Sequence, residues 1–180
     1  DLNSFNSTYN SYIINIAKKL AKEGNDIFRR KDYESAAEKY IQSTKIDPTY
    51  TEAYYRAGKA FYVLGDYEIS RSNLERAIEN SSDHVQSLKL LGDLDSKEGN
   101  DEKAIKWYKK AVEVNSNYHI AYYSLGKSYY KIQQNEDALS ALKNAVLVDP
   151  TYAKAYELMG IIEQVNGNLD LSILNLLFRQ

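Results

Sequence analysis

The chain has 180 residues, 43% of them hydrophobic, and a formal net charge of −2. It contains no cysteine, which excludes disulfides and thiolate metal sites and leaves the compartment open. The near-neutral charge makes no global case for nucleic acid, and no apolar run reaches the length of about 20 residues needed to cross a bilayer.

In chain order, residues 1–8 are rich in Ser and Asn and are expected to be loose. Tyr9, Ile13, Ile16 and Leu20 then share a helical stripe, so the first helix is expected to start about two turns ahead of the first repeat. From there a fixed period governs the chain. Gly24, Gly58, Gly92, Gly126 and Gly160 stand 34 residues apart without a slip. Leu20, Tyr54, Leu88, Tyr122 and Tyr156 keep the same phase upstream, and Ala36, Ser70, Ala104, Ala138 and Ser172 keep it downstream. A period of this length marks one supersecondary unit repeated in register. The divisions that follow are a polar extension at 1–16 running into the first helix, then repeats at 17–50, 51–84, 85–118, 119–152 and 153–180, the last one truncated.

Each repeat splits into two helices. In the second, Tyr54, Ala57, Gly58, Phe61 and Tyr62 make one buried stripe, and after Gly65-Asp66 a second stripe runs through Tyr67, Ser70, Leu74, Ala77 and Ile78. The fourth repeat copies both stripes with Tyr122, Leu125, Gly126 and Tyr129, then Ala138, Leu142, Ala145 and Val146. Nothing alternates with a strand period, so the fold class is all-α. A glycine inside a helix costs about 1 kcal/mol relative to alanine, so five at one phase imply close approach to the second helix of the same repeat. Ala36, Ala104 and Ala138 are expected to be its small partners, with Tyr40, Leu74, Tyr108 and Leu142 filling the gaps between repeats. Asp47-Pro48 and Asp149-Pro150 should stop the second helix, since a residue before proline is pushed out of the α region.

The segments AYYRAGKAFYVLGDYEISRSNLERAIE and AYYSLGKSYYKIQQNEDALSALKNAVLVDP resemble tetratricopeptide repeats in period and in the order Tyr/Leu, Gly, aromatic, Ala, aromatic, Ala, Pro. The resemblance covers about residues 17–180. Departures are Asp95 and Glu163 at a position held elsewhere by Ile27, Phe61 and Tyr129, Ser82 and Ser116 in place of the proline, and Arg179 in place of the last alanine. The resemblance implies a right-handed α-solenoid of five helix pairs whose first helices line a concave surface that takes up a peptide or helix of a partner protein. One subfamily grips acidic chaperone tails with a Lys, Asn, Asn, Lys, Arg clamp; at its positions this chain has Ala21, Asn25, Arg56, Gln86 and Leu90, so only Asn25 matches.

The residues expected on that surface are Asn25, Tyr55, Lys59, Tyr62, Lys89, Tyr123, Lys127 and Tyr130. Tyr55, Lys59 and Tyr62 lie four and three residues apart, hence on one helix face, and Tyr123, Lys127 and Tyr130 repeat the triplet two periods later. Tyrosine offers contact area at low entropic cost, and interleaved lysines favour acidic residues. Catalysis finds no support: His84 and His119, the only histidines, fall at repeat junctions without triad or ligand partners at a recognisable spacing. No cofactor and no metal is expected, and the glycines form no phosphate-cradling loop.

At the end of the chain, Leu171, Leu174, Leu177 and Phe178 make an unusually apolar helix where a terminal repeat needs a polar outer face. Two readings stay open there: a further helix is missing, or this surface joins copies of the chain or a larger assembly. A third reading makes the array the substrate-selecting region of a longer enzyme. The chain starts at Asp1 rather than Met, which points to an excised domain or a processed form, cytoplasmic or, behind a cleaved signal, periplasmic or secreted.

Overall fold

A computed structural model describes residues 2–167 and 177, with side chains from Asn6 onward. The described residues contain helices and no strand, in two compact units, Asp1–Leu90 and Leu91–Gln180.

In the first unit α1 (Leu2–Arg29) packs on α2 (Tyr33–Ile46), α2 on α3 (Thr51–Leu64), and α3 on α4 (Tyr67–Asn80); α1 also touches α3. α5 (Val85–Lys97) begins in this unit and ends in the next. In the second unit α6 (Asp101–Val114) packs on α7 (His119–Lys131), α7 on α8 (Asn135–Val148), and α8 on α9 (Ala153–Val165), with α7 touching α9. Ala21, Ala36, Ala37, Tyr40, Ala57 and Ala60 form one core; Tyr108, Leu125, Tyr129, Leu142, Met159 and Ile162 belong to the other.

Gly24, Gly58, Gly92 and Gly126 sit where the paired helices approach closely, and a large residue faces each of them, not only the small one expected. Tyr40, Leu74, Tyr108 and Leu142 lie directly on the glycine of their own repeat, and Tyr40, Tyr108 and Leu142 also share a core with residues of the next repeat. A Cβ built at Gly58 would stand 2.7 Å from Leu74 Cγ and 3.1 Å from the Ser70 carbonyl oxygen. At Gly92 it would stand 2.5 Å from the Tyr108 ring. The reason is steric: a large side chain on the second helix can lie flat only where the first helix carries no Cβ. The small residue of the second helix contributes as well, and Ser70 Oγ donates to the Gly58 carbonyl at 2.7 Å.

The turn inside each repeat also keeps the period. Lys31, Gly65, Gly99, Gln133 and Gly167 all have positive φ, between 64° and 90°. In the first four repeats this left-handed residue closes the first helix and turns the chain into the second. Asp32 then caps α2 by accepting the Ser35 N–H at 3.1 Å.

The second helices end where expected at Asp47 and Asp149, both extended. Ser81 and Asn115 hold the same extended conformation without a proline nearby. Side chains shape these exits: Asp47 Oδ1 accepts from Thr49 N and Oγ1, Asp149 Oδ1 from Thr151 N and Oγ1, and Asn115 Oδ1 from Asn117 N.

At the amino end the expectation of a loose segment over residues 1–8 is corrected: α1 is helical from Leu2. No Gly or Pro interrupts this stretch, and Ser11 Oγ donates to the Ser7 carbonyl at 2.9 Å. Ile13, Ile16 and Leu20 are half-buried as the stripe implied, while Tyr9 and Tyr12 remain exposed.

Candidate functional site

The tyrosine–lysine triplets lie on the first helices of the second and fourth repeats. On α3, Tyr55 and Tyr62 are half-buried and Lys59 between them is exposed; on α7, Tyr123 and Tyr130 are half-buried and Lys127 is exposed. The copied sequence therefore gives a copied exposure pattern.

In the first unit, the Lys59 ammonium lies over the Phe28 ring, 5.4 Å from its centroid. Phe28 meets Tyr33 edge-on at 4.9 Å, and Tyr62 packs against Tyr67 at 5.8 Å. Tyr55 rests on His84, 5.1 Å between ring centroids. His84 is fixed on both ring nitrogens: Nδ1 lies 2.8 Å from Ser87 Oγ and accepts the Ser87 N–H at 3.3 Å, and Nε2 stands 3.3 Å from Glu52 Oε2. Glu52 also pairs with Arg56 at 2.6 Å. Burial raises the Glu52 pKa, but the His84 and Arg56 contacts outweigh it and hold the carboxyl below its ordinary value. The Ser–His–Glu arrangement is a cap and brace rather than a nucleophile, because Ser87 is fully buried.

In the second unit the same register recurs. Tyr123 meets Tyr152 edge-on at 5.4 Å, and His119 packs on Tyr152 at 4.9 Å. Burial, with Glu157 nearby, pushes the Tyr123 pKa up, so its hydroxyl stays protonated at neutral pH. Asp101 is buried at the start of α6, where Oδ1 accepts from Ser96 Oγ and Ser128 Oγ, both at 2.8 Å, and from Lys131 Nζ at 3.3 Å.

The other expected surface residues divide. Asn25 is half-buried and accepts a hydrogen bond from Tyr40 OH at 2.9 Å. Lys89 is half-buried on α5, at the phase held by Tyr55 and Tyr123. His84 and Tyr152 escaped the sequence reading as neighbours of the triplets, although the period could have found them: Tyr55–His84 and Tyr123–Tyr152 have the same separation. Of the apolar carboxy-terminal set, Leu171, Leu174 and Phe178 lie outside the described residues, and Leu177 is helical and 63% exposed. No described residues group His, Cys, Asp and Glu as a metal site would need, and no described helix is long and apolar enough to cross a membrane.

Family models described as TPR repeat and tetratricopeptide repeat match residues 24–65 and 92–133, residues 123–177, and residues 52–84. The chain belongs to the tetratricopeptide repeat family, a class of protein-interaction scaffolds. It is similar to the BBSome complex member BBS4 of Bos taurus, 26% identical over 87% of this chain and 30% of that protein. It also resembles the photosystem I assembly protein Ycf3 of Synechococcus sp. (strain CC9605), 33% identical over 59% of this chain and 65% of that one. The chain thus spans less than two thirds of either relative. Among solved structures, MamA from Desulfovibrio magneticus RS-1 superposes with a TM-score of 0.81, covering 91% of this chain and 93% of that chain at 21% identity. YrrB, described as a TPR protein with an unusual peptide-binding site, gives 0.71, covering 89% and 82% at 22% identity.

Proposed function

We propose that this chain is a non-enzymatic scaffold that binds a segment of a partner protein on a first-helix face, with Tyr55, Lys59 and Tyr62 as the contacts on α3 of the first unit and Tyr123, Lys127 and Tyr130 as those on α7 of the second. The observation that carries the reading is the repetition of half-buried Tyr, exposed Lys, half-buried Tyr at the same phase of α3 and α7. Packing explains the inward half of each tyrosine; the lysines take no part in the cores, and the tyrosines keep solvent-facing area. Such faces give rigid aromatic area with a hydrogen-bonding edge, which grips peptide at low entropic cost. The peptide-binding site described for YrrB and the assembly role named for Ycf3 are consistent with this use of the fold.

The test is selection of peptides from a random phage-displayed library on the intact chain, followed by hydrogen–deuterium exchange with one selected peptide. Protection should appear on α3 or α7. Protection confined to the exposed faces of α4, α6 and α8 would refute the reading.

A further inference from the structure

The residue that follows each periodic glycine is Asn25, Lys59, Asp93, Lys127 and Ile161. The large residue lying on that glycine is Tyr40, Leu74, Tyr108 and Leu142 in the first four repeats. The two series alternate together. Where the second helix supplies tyrosine, its hydroxyl donates to the residue after the glycine: Tyr40 to Asn25 and Tyr108 to Asp93, both at 2.9 Å. Asn25 and Asp93 are half-buried. Where the second helix supplies leucine, no hydroxyl reaches that position, and Lys59 and Lys127 are exposed. The first four repeats therefore form two double repeats, and Ile161 in the fifth departs from the alternation. Independently, the same family model matches residues 24–65 and 92–133, two segments offset by two whole periods.

We propose that this alternation sets the charge preference of each binding face: Lys59 on α3 and Lys127 on α7 each read a carboxylate, so a segment bound on either face is an acidic stretch of protein. This rests on the scaffold reading above and names its ligand class. Charge complementarity supports it. On the first helices of the first unit, Glu23 pairs with Lys39 at 2.9 Å, Asp26 with Arg29, and Glu52 with Arg56 and His84. In the second unit, Asp93 receives the Tyr108 hydroxyl, and α7 contains no Asp or Glu at all. Lys59 meets the Phe28 ring, a contact that leaves ammonium N–H groups for a ligand oxygen. Lys59 and Lys127 are thus exposed cations on a chain of net charge −2, with Glu157 of α9 the carboxylate near Tyr123 on the α7 face.

The experiment uses the same library on the intact chain and the selected peptide as the probe. Selected sequences should be enriched in Asp and Glu, and affinity should fall as salt rises. Lys59→Gln with Lys127→Gln should weaken binding about tenfold, the size expected when two solvent-exposed ion pairs are lost. Lys143→Gln, on the exposed surface of α8, should leave it unchanged. Converting the third repeat to the lysine type with Asp93→Lys and Tyr108→Leu should tighten binding of the same peptide. If that variant folds poorly, Asp93→Asn serves, expected to tighten binding more weakly. Peptides without acidic enrichment that still protect α3 or α7 would overturn the charge inference and leave the scaffold reading standing. A library that yields no peptide, or peptides that protect neither helix, would overturn both.

Discussion

Replacing Gly58 by alanine adds one methyl group in the middle of α3 and sets two effects against each other. On helix propensity alone the variant should gain about 1 kcal/mol. The new Cβ, however, would stand 2.7 Å from Leu74 Cγ, 2.9 Å from Leu74 Cδ2 and 3.1 Å from the Ser70 carbonyl oxygen. Carbon pairs prefer about 3.5–4.0 Å, so the overlap approaches an ångström. It involves a branch carbon and a backbone atom rather than a flexible tip. Overpacking of this kind costs about 1–3 kcal/mol. Moving the helices apart also stretches the bond from Ser70 Oγ to the Gly58 carbonyl, a hydrogen bond worth about 0.5–1.5 kcal/mol net. Sterics therefore win, and Gly58→Ala should lose about 0.5–3.5 kcal/mol. The cause is checked by a double-mutant cycle. Leu74→Ala alone should cost about 2–5 kcal/mol by leaving a cavity. Combined with Gly58→Ala it should cost less than the sum, because the added methyl then occupies part of that cavity and the propensity gain is recovered. Urea unfolding followed by helical circular dichroism gives the four midpoints. A Gly58→Ala variant as stable as the parent, or two substitutions that simply add, would refute the reasoning.

Five further outcomes follow from the structure. Gly65→Ala should cost about 1–2 kcal/mol through the left-handed backbone alone, since no atom lies within 4 Å of the added methyl. Gln133→Gly should shift the urea midpoint the opposite way by a smaller amount, because the entropy of a new glycine, about 0.5–1 kcal/mol, offsets part of the relief. Tyr108→Phe should destabilise more than Tyr40→Phe, because the lost acceptor is the Asp93 carboxylate rather than the Asn25 amide; equal midpoint shifts would contradict this. Glu52 has a folded pKa below its unfolded value of about 4.3, so its contribution is present above that pH and is lost as the pH falls through the folded value. The stability difference between the parent and Glu52→Gln should accordingly shrink below about pH 4.3, and a difference that stays constant to the acid limit would exclude the carboxylate as its source. Asp101→Ala should cost about 1–3 kcal/mol by leaving the Ser128 hydroxyl and the Lys131 ammonium without their shared acceptor, measured as thermal unfolding at neutral pH.

The repeat period, the helix pairs and the Asp-Pro exits were legible because each depends on residues close in sequence. What lay less open depends on which of two same-phase residues wins a contact. Ala36 and Tyr40 both sit on the face of α2 turned toward α1, and periodicity alone does not say which one covers Gly24; the ring of Tyr40 does. The left-handed turn was signalled by Gly65 but not by Lys31 or Gln133, whose residue types give no hint of positive φ. Their phase gives it, since a backbone geometry imposed by packing the helix pair recurs whether or not glycine is present. The helical start at Leu2 was hidden for another reason: a Ser/Asn-rich segment has no apolar stripe, yet nothing in it forbids helix.

The site was legible as a pattern of residue types and not as a division of labour. Tyr55 and Tyr123 read as ligand contacts because they are aromatic and share a face with lysine. Each also packs on the ring that ends its own repeat, just ahead of the next first helix, His84 or Tyr152, a contact no local spacing reveals. Tyr55→Ala would consequently remove packing at a junction as well as any ligand contact, and lost binding in that variant would not separate the two. Lys59 and Lys127 differ in this respect: both are exposed, and neither belongs to a core. In a repeat protein, where stability is close to a sum of neighbour terms, a position one residue past the glycine can change charge without disturbing the stack. The covarying pairs Asn25–Tyr40 and Asp93–Tyr108 show how the fold withdraws that position from solvent, and Lys59 and Lys127, paired with leucine, show where it does not.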